Sequence, residues 1–378
     1  MSTPLAPQIL SSSLEDLVTL FDVRPSGNVL ADDARDALVA SSPTFGTVFT
    51  DHMARVTWTA DTGWHDRRVE PYGPLQLDPA TAVLHYAQEI FEGLKAYRHA
   101  DGSIWTFRPE ANAARFARSA HRLALPALSI DDFIASITAL VRTDAAWVPT
   151  SAESSLYLRP FMYASERFLG VRPSLEAEYL VIASPVGAYF SGGVKPVSIW
   201  VDREYSRAGA GGTGAAKCGG NYASSLLPQV VAQQNGCEQV CFLDSGTRTY
   251  LEELGGMNVF VVRADGTLQT PELSGSILEG VTRSSILQLA ADRGYETFEA
   301  QIPFADLLEG IRDGSVTEVF ACGTAAVITP IGRLAGSDFD QTIADGTAGE
   351  LTTALRSELT DIQTGRAADR HGWMRRLA

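Results

Sequence analysis

The chain has 378 residues, of which 45% are hydrophobic and 20% charged, and it carries a formal net charge of −15 at pH 7. That length and apolar content support one large or two medium folded domains with real cores. The acidity excludes a phosphate-binding nucleic-acid surface, which needs clustered Lys and Arg, and reports solubility rather than a particular function. No apolar run reaches about 18 residues, which excludes an ordinary membrane span, and Met1 to Leu30 show no signal peptide. Four cysteines, Cys218, Cys237, Cys241 and Cys322, form no C-x-x-C pair and have no His spacing suited to zinc. They are expected as buried free thiols in a reducing compartment, with no metal site, and the protein is expected in the cytoplasm.

Residues 1–40 are rich in Ser, Ala and Asp and are expected as an irregular lead-in. Rough alternation of apolar and polar residues from Thr47 to Trp58 and from Ala82 to Tyr97 predicts strands. Asp101-Gly102 then marks a hairpin into Ser103 to Phe107. A helix is predicted over Glu110 to Leu125, with Phe116, Ala120 and Leu123 on its buried face, and another over Ile130 to Trp147. Glu178 to Val186 reads as a strand, and the glycine- and aromatic-rich stretch that follows reads as a connector over residues 187–196. The small domain is expected at 41–186 and the larger at 197–378. The second half has predicted strands near Val197–Val201, Gln239–Leu243, Met257–Val262 and Val319–Cys322. Its helices are predicted at Asn221–Asn235, Thr282–Arg293, Phe304–Gly310 and Thr347–Thr364. Strands and helices mix without a regular βαβ alternation, so the class is α+β.

The most unusual stretch runs from Arg207 to Tyr222 and holds six glycines around Lys217. Gly209, Gly211 and Gly214 satisfy G-x-G-x-x-G, but no strand leads directly into them and Lys217-Cys218-Gly219-Gly220 would interrupt the required helix. A Walker A reading fails because Ala216 precedes the lysine and Cys218 follows it. A single lysine among glycines can be a surface-loop residue. It can also be a nucleophilic amine held in desolvated or cationic surroundings, ready to form an imine.

The segment Gly211-Gly212-Thr213-Gly214 with Lys217-Cys218-Gly219-Gly220-Asn221-Tyr222 resembles the cofactor-lysine segment of branched-chain aminotransferases, which are fold-type-IV pyridoxal-phosphate enzymes. Further motifs of that family follow in order from about residue 45 to the end. They include Phe49-Thr50-Asp51-His52-Met53, Leu84-His85-Tyr86-Ala87, Phe91-Glu92-Gly93-Leu94-Lys95-Ala96 and Leu156-Tyr157-Leu158-Arg159-Pro160. Later come Glu253-Leu254-Gly255-Gly256-Met257-Asn258, Gly280-Val281-Thr282-Arg283 and Gly323-Thr324-Ala325-Ala326.

The resemblance implies a small N-terminal α/β domain and a larger cofactor-binding domain with a β-barrel-like core flanked by helices. It implies amino transfer between L-Leu, L-Ile or L-Val and 2-oxoglutarate by ping-pong chemistry, with Lys217 holding pyridoxal 5′-phosphate as an imine and moving the substrate's α-proton. Glu253 would face the ring nitrogen, Glu252 being its rival on the other side of the strand. Tyr222 would meet the cofactor's phenolate oxygen. Arg115, Thr282, Thr324 and the amides opened by Gly280-Val281-Thr282 would hold the phosphate, with Arg207 nearby. In the substrate pocket Phe45, Phe91 and Tyr189 would be apolar walls, and Tyr157 with Arg159 would receive the distal carboxylate of glutamate. Tyr86 with Thr324 and Ala325 would meet the α-carboxylate. A C-x-x-C redox pair used by some members is replaced here by Ala326 and Thr329, so that regulation is expected to be absent.

The family builds its active sites from both subunits of a homodimer, which is the assembly expected here; amino acids and 2-oxo acids are the expected small-molecule partners. Other readings stay open at this level: a D-amino acid aminotransferase or aminodeoxychorismate lyase of the same fold, and a catalytically inert scaffold. The residues do not rank Leu, Ile and Val.

Overall fold

A computed structural model describes residues 16, 18–41, 43–151, 154–187 and 195–378. The chain divides into two compact units, Met1–Tyr189 with Gln363–Ala378, and Phe190–Ile362.

The first unit is built on a nine-stranded sheet in the order Asp22–Val23, Gly63–Pro71, His52–Thr59, Glu176–Val186, Ser155–Ala164, Leu94–Arg98, Ile104–Phe107, Met374–Arg376. Its ninth strand, Glu89–Phe91, also pairs with Ser155–Ala164. Two helices, Pro109–Arg122 and Ile130–Thr143, supply the core face. Proline at the first helical turn starts one, and the Ser129 side chain, accepting from the Asp132 amide, caps the other. Phe116, Phe133 and Tyr179 meet between them and the sheet, with centroids 5.6 to 6.2 Å apart.

Three expectations are corrected by the first unit. Residues 1–40 are not wholly irregular: Asp22–Val23 pairs in parallel with Arg68 and Val69, and Asp32–Ala40 is helical. The anchor is distant in sequence, since the Ser26 amide donates to His52 Nε2 at 2.8 Å and the Leu30 amide to Asp51 Oδ1 at 3.0 Å. The run Ala82 to Tyr97 is not one strand. It opens as a helical turn, Val83–Tyr86, ended by Ala87 at φ 48°, and two strands then keep one register on Ser155–Ala164 either side of Glu92 and Gly93. Finally, residues 363–378 pack with the first unit rather than the C-terminal domain. Met374–Arg376 covers the edge of Ile104–Phe107, and Leu377 is fully buried. Covering a strand edge satisfies backbone groups that no local pattern announces.

The second unit holds another nine-stranded sheet, in the order Leu251–Leu254, Gln239–Leu243, Val197–Asp202, Val327–Ala335, Val316–Gly323, Asn258–Arg263, Thr267–Thr270, Glu296–Glu299; Asp340–Thr342 pairs with Val327–Ala335. Leu251–Leu254 and Asn258–Arg263 stand first and sixth in this order, yet only Gly255-Gly256-Met257 joins them. In a flat sheet they would lie about 24 Å apart, whereas that link reaches about 14 Å. The sheet therefore curls back toward closure, which gives the barrel-like core. Helices Val281–Asp292, Phe304–Asp313 and Glu350–Gln363 flank it. The helix predicted over Asn221–Asn235 is instead split into Gly219–Ala223 and Leu226–Gln234. Pro228 would clash with the Ser224 carbonyl in a continuous helix, so the second helix starts afresh.

Leu377→Ala is expected to lower stability by about 2–5 kcal/mol, the usual range for emptying a buried leucine site. A urea midpoint unchanged from the parent protein would contradict the placement of the C-terminus in this core.

Candidate active site

In the second unit the glycine-rich segment is a loop that places Lys217 just before the short helix Gly219–Ala223. The half-buried Lys217 amine donates to the Tyr222 hydroxyl at 2.6 Å. Buried Asn221 shapes the loop: its Nδ2 donates to the Thr213 and Ala216 carbonyls, both at 2.8 Å, and its Oδ1 accepts from the Thr213 hydroxyl at 2.7 Å. The sequence marks Asn221 only as part of a motif; an amide able both to donate and to accept, beside six glycines, is the signal for its role. Gly214 is required by close approach, because a Cβ there would overlap the Ser276 carbonyl oxygen.

Glu253, on the strand Leu251–Leu254, is buried with Arg207, whose Nη2 reaches its Oε1 at 2.5 Å. The same oxygen accepts from the Leu278 amide at 2.9 Å, and Oε2 accepts from Asn258 Nδ2 at 3.3 Å. Asn258 also donates to the Leu278 carbonyl at 2.9 Å. Burial pushes the Glu253 carboxyl up to about 7, against the pull of Arg207 and of Lys217. Glu252, the rival carboxylate, accepts from the Ser276 hydroxyl instead.

The Ser276–Gly280 segment held by Glu253 leads straight into the helix that begins at Val281, with Thr282 buried in its first turn. That end carries the positive pole of the helix dipole. Thr324 and Ala325 form the turn between the strands Val316–Gly323 and Val327–Ala335. Lys217, Tyr222, Glu253, Arg207, Val281, Thr282, Thr324 and Ala325 thus all fall in one unit.

Arg115 is in the first unit and buried. Its Nε and Nη2 donate to the two oxygens of fully buried Glu92, at 2.7 and 2.8 Å. Arg118 and Arg122, which the helical spacing puts on the same side, are exposed. Asn112, missed in the sequence reading, also donates to Glu92, at 2.8 Å.

A second cluster lines a cavity of about 300 Å³ in the first unit, walled by Phe45, Phe49, Tyr157, Arg159, Ile182 and Ser184. Phe45 meets Tyr157 edge-on at 4.8 Å. The Arg159 guanidinium lies 4.8 Å from the Phe91 ring centroid and donates from Nη2 to the Tyr157 hydroxyl at 3.1 Å. Its Nε is buried and has no hydrogen-bond partner. Gly93 leaves room for this group, since a Cβ there would overlap the Tyr157 hydroxyl. Tyr86 is exposed and its hydroxyl is already donated to the Leu169 carbonyl. Tyr189 lies outside the described residues.

The sequence model of the family described as amino-transferase class IV matches residues 89–334. A branched-chain-amino-acid aminotransferase of Mycolicibacterium smegmatis is 56% identical over 94% of this chain and 98% of its own length. The branched-chain-amino-acid aminotransferase 2 of Bacillus subtilis is 45% identical over 88% of this chain and 92% of its own. The crystal structure of the Escherichia coli branched-chain amino acid aminotransferase superposes with a TM-score of 0.71 at 27% identity, covering 86% of this chain and 100% of that one. This chain belongs to the branched-chain aminotransferases of class IV. Its cofactor is pyridoxal 5′-phosphate.

The second unit's donor set fits that group. It offers one amine with a phenol 2.6 Å away, one buried acid near neutrality, and a helix N-terminus carrying a threonine. Among the described residues no helix is long and apolar enough to cross a membrane.

The raised Glu253 carboxyl has a definite pH signature. The folded chain holds its proton between the ordinary value of 4.5 and about 7, so this stabilisation is complete below 4.5 and is lost as pH rises through about 7. In cofactor-free protein, the urea midpoint of the wild type should fall relative to Glu253→Gln across that window. Parallel pH curves for the two proteins would overturn the assignment.

Proposed function

We propose that this enzyme transfers the amino group between L-leucine, L-isoleucine or L-valine and 2-oxoglutarate. The observation that carries the substrate reading is Arg159: a guanidinium with no acidic partner among the described residues, set in a cavity with aromatic and aliphatic walls. Apolar walls receive a branched alkyl chain, and an uncompensated guanidinium receives the distal carboxylate of the dicarboxylic partner. The names of the relatives support the same substrates.

Pyridoxal phosphate, when bound, supplies the carbonyl that takes up the amino group and the ring that withdraws electrons from the substrate's α-carbon. The chain's own residues do the rest. Lys217 Nζ would be the attachment point and, once released, the base that takes the substrate's α-proton and gives it back on the far side of the transferred nitrogen. Tyr222 orients that amine and meets the cofactor's phenolate oxygen. Glu253, kept anionic by Arg207 when a cation stands beside it, favours a proton on the ring nitrogen. The Val281 end of its helix, with the Thr282 and Thr324 hydroxyls, receives the phosphate. In the first unit, the grip of Glu92 fixes the plane of the Arg115 guanidinium.

We also propose a homodimer. Leu84, Tyr86, Leu169 and Val171 are exposed, Val171 by 88%, and the Tyr86–Leu169 hydrogen bond joins the two segments that carry them. All four cysteines are free thiols, which fits a reducing compartment, and we place the enzyme in the cytoplasm.

Purified enzyme should convert L-leucine and 2-oxoglutarate to glutamate, and Lys217→Ala should abolish both this turnover and the cofactor's visible-edge absorbance. Turnover of D-alanine without L-leucine would instead indicate a D-amino acid aminotransferase. Arg159→Gln should raise KM for 2-oxoglutarate at least about tenfold, the loss expected for a charge-assisted hydrogen bond, while sparing KM for L-leucine. An active monomer in sedimentation would refute the dimer.

A further inference from the structure

The cavity beside Arg159 contains a second polar atom that the family motifs do not mark. Ser184 stands directly opposite Tyr157 in the antiparallel pair of Ser155–Ala164 with Glu176–Val186. Side chains of directly paired residues share one face of a sheet, so Ser184 and Ile182 line up with Tyr157 and Arg159 on the cavity side. Ser184 is 3% exposed, and its hydroxyl has no hydrogen-bond partner. Its neighbours along the strand, Leu180, Val181, Ala183 and Val186, are buried and apolar. A hydroxyl left unpaired in such a place is destabilising compared with alanine unless something else satisfies it.

We propose that Ser184 is a specificity residue: its hydroxyl donates a hydrogen bond to the distal carboxylate of a dicarboxylic substrate held by Arg159, and it makes no bond when a branched alkyl chain occupies the cavity. The proposal rests on the reading of the Arg159 cavity given above. Two unpartnered atoms, Arg159 Nε and Ser184 Oγ, on adjacent strands around one cavity form a site that two carboxylate oxygens can satisfy together. The aromatic and aliphatic walls ask nothing of that hydroxyl, so the same cavity takes leucine's side chain without it. Ser184 thereby acts on the choice between the two substrate classes, not on the reacting atoms.

The test uses holoenzyme, with glutarate as dicarboxylate probe and 4-methylpentanoate as its apolar counterpart, both titrated by calorimetry. Ser184→Ala should weaken glutarate at least about tenfold and leave 4-methylpentanoate within about twofold. In turnover, KM for 2-oxoglutarate should rise by the same factor, with KM for L-leucine unchanged. Ser184→Thr, which keeps the hydroxyl, should retain more glutarate affinity than Ser184→Val, which replaces it at equal size. Equal loss for both probes, or no loss for either, would overturn the role of Ser184 while leaving the aminotransferase reading intact. If wild-type enzyme with L-leucine and 2-oxoglutarate gives no glutamate, the reading of the cavity falls and Ser184 falls with it.

Discussion

Burying a carboxyl in a protein interior is costly unless its charge and lone pairs are met, and the second unit is organised around how this is done at Glu253. Arg207 supplies the opposite charge, the Leu278 amide and Asn258 supply donors, and all three come from different segments. One acid therefore binds the glycine-rich loop, the strand Asn258–Arg263 and the lead into the helix Val281–Asp292. Removing either member of such a buried pair typically costs about 3–5 kcal/mol, because the survivor is left uncompensated. The same incomplete compensation holds the carboxyl near neutrality.

The first unit shows the complementary case. Its Arg115 and Glu92 neutralise each other in a two-point pair reinforced by Asn112, and Arg55 is matched by Glu178. Arg159 is matched by no carboxylate among the described residues, only by the Tyr157 hydroxyl and two aromatic faces. Aromatic faces stabilise a cation without neutralising it, so the group stays attractive to an anion yet its surroundings stay apolar. That combination of properties is what the proposed reading of the cavity requires, a branched hydrocarbon and a carboxylate received in turn.

Much of this was legible in the residues because the chemistry requires rare residue types in rare company. A lysine amid six glycines, an acid before Gly255-Gly256-Met257-Asn258 and a threonine opening a helix are such signals, and their order along the chain identified the family. Arg207 was placed nearby with no stated partner, because an ion pair between residues 46 apart leaves no local trace. Asn221, Asn112 and Ser184 carried no role in that reading. Their donors and acceptors matter through partners that only folding brings close.

The sequence by itself determined the class of chemistry, through motifs in the order of a known family, and the helices with strong apolar faces, through short-range periodicity. Tertiary structure alone decided where the ends of the chain go. Residues 363–378 close a sheet edge in the first unit, and the lead-in is pinned by Asp51 and His52, through contacts whose strength is set by spatial neighbours. It also decided what surrounds Lys217: the amine is meaningful only because Asn221 shapes its loop and Tyr222 stands 2.6 Å away, beside the acid held by Arg207. Burial and charge compensation are sums over neighbours in space, and a linear pattern does not contain them.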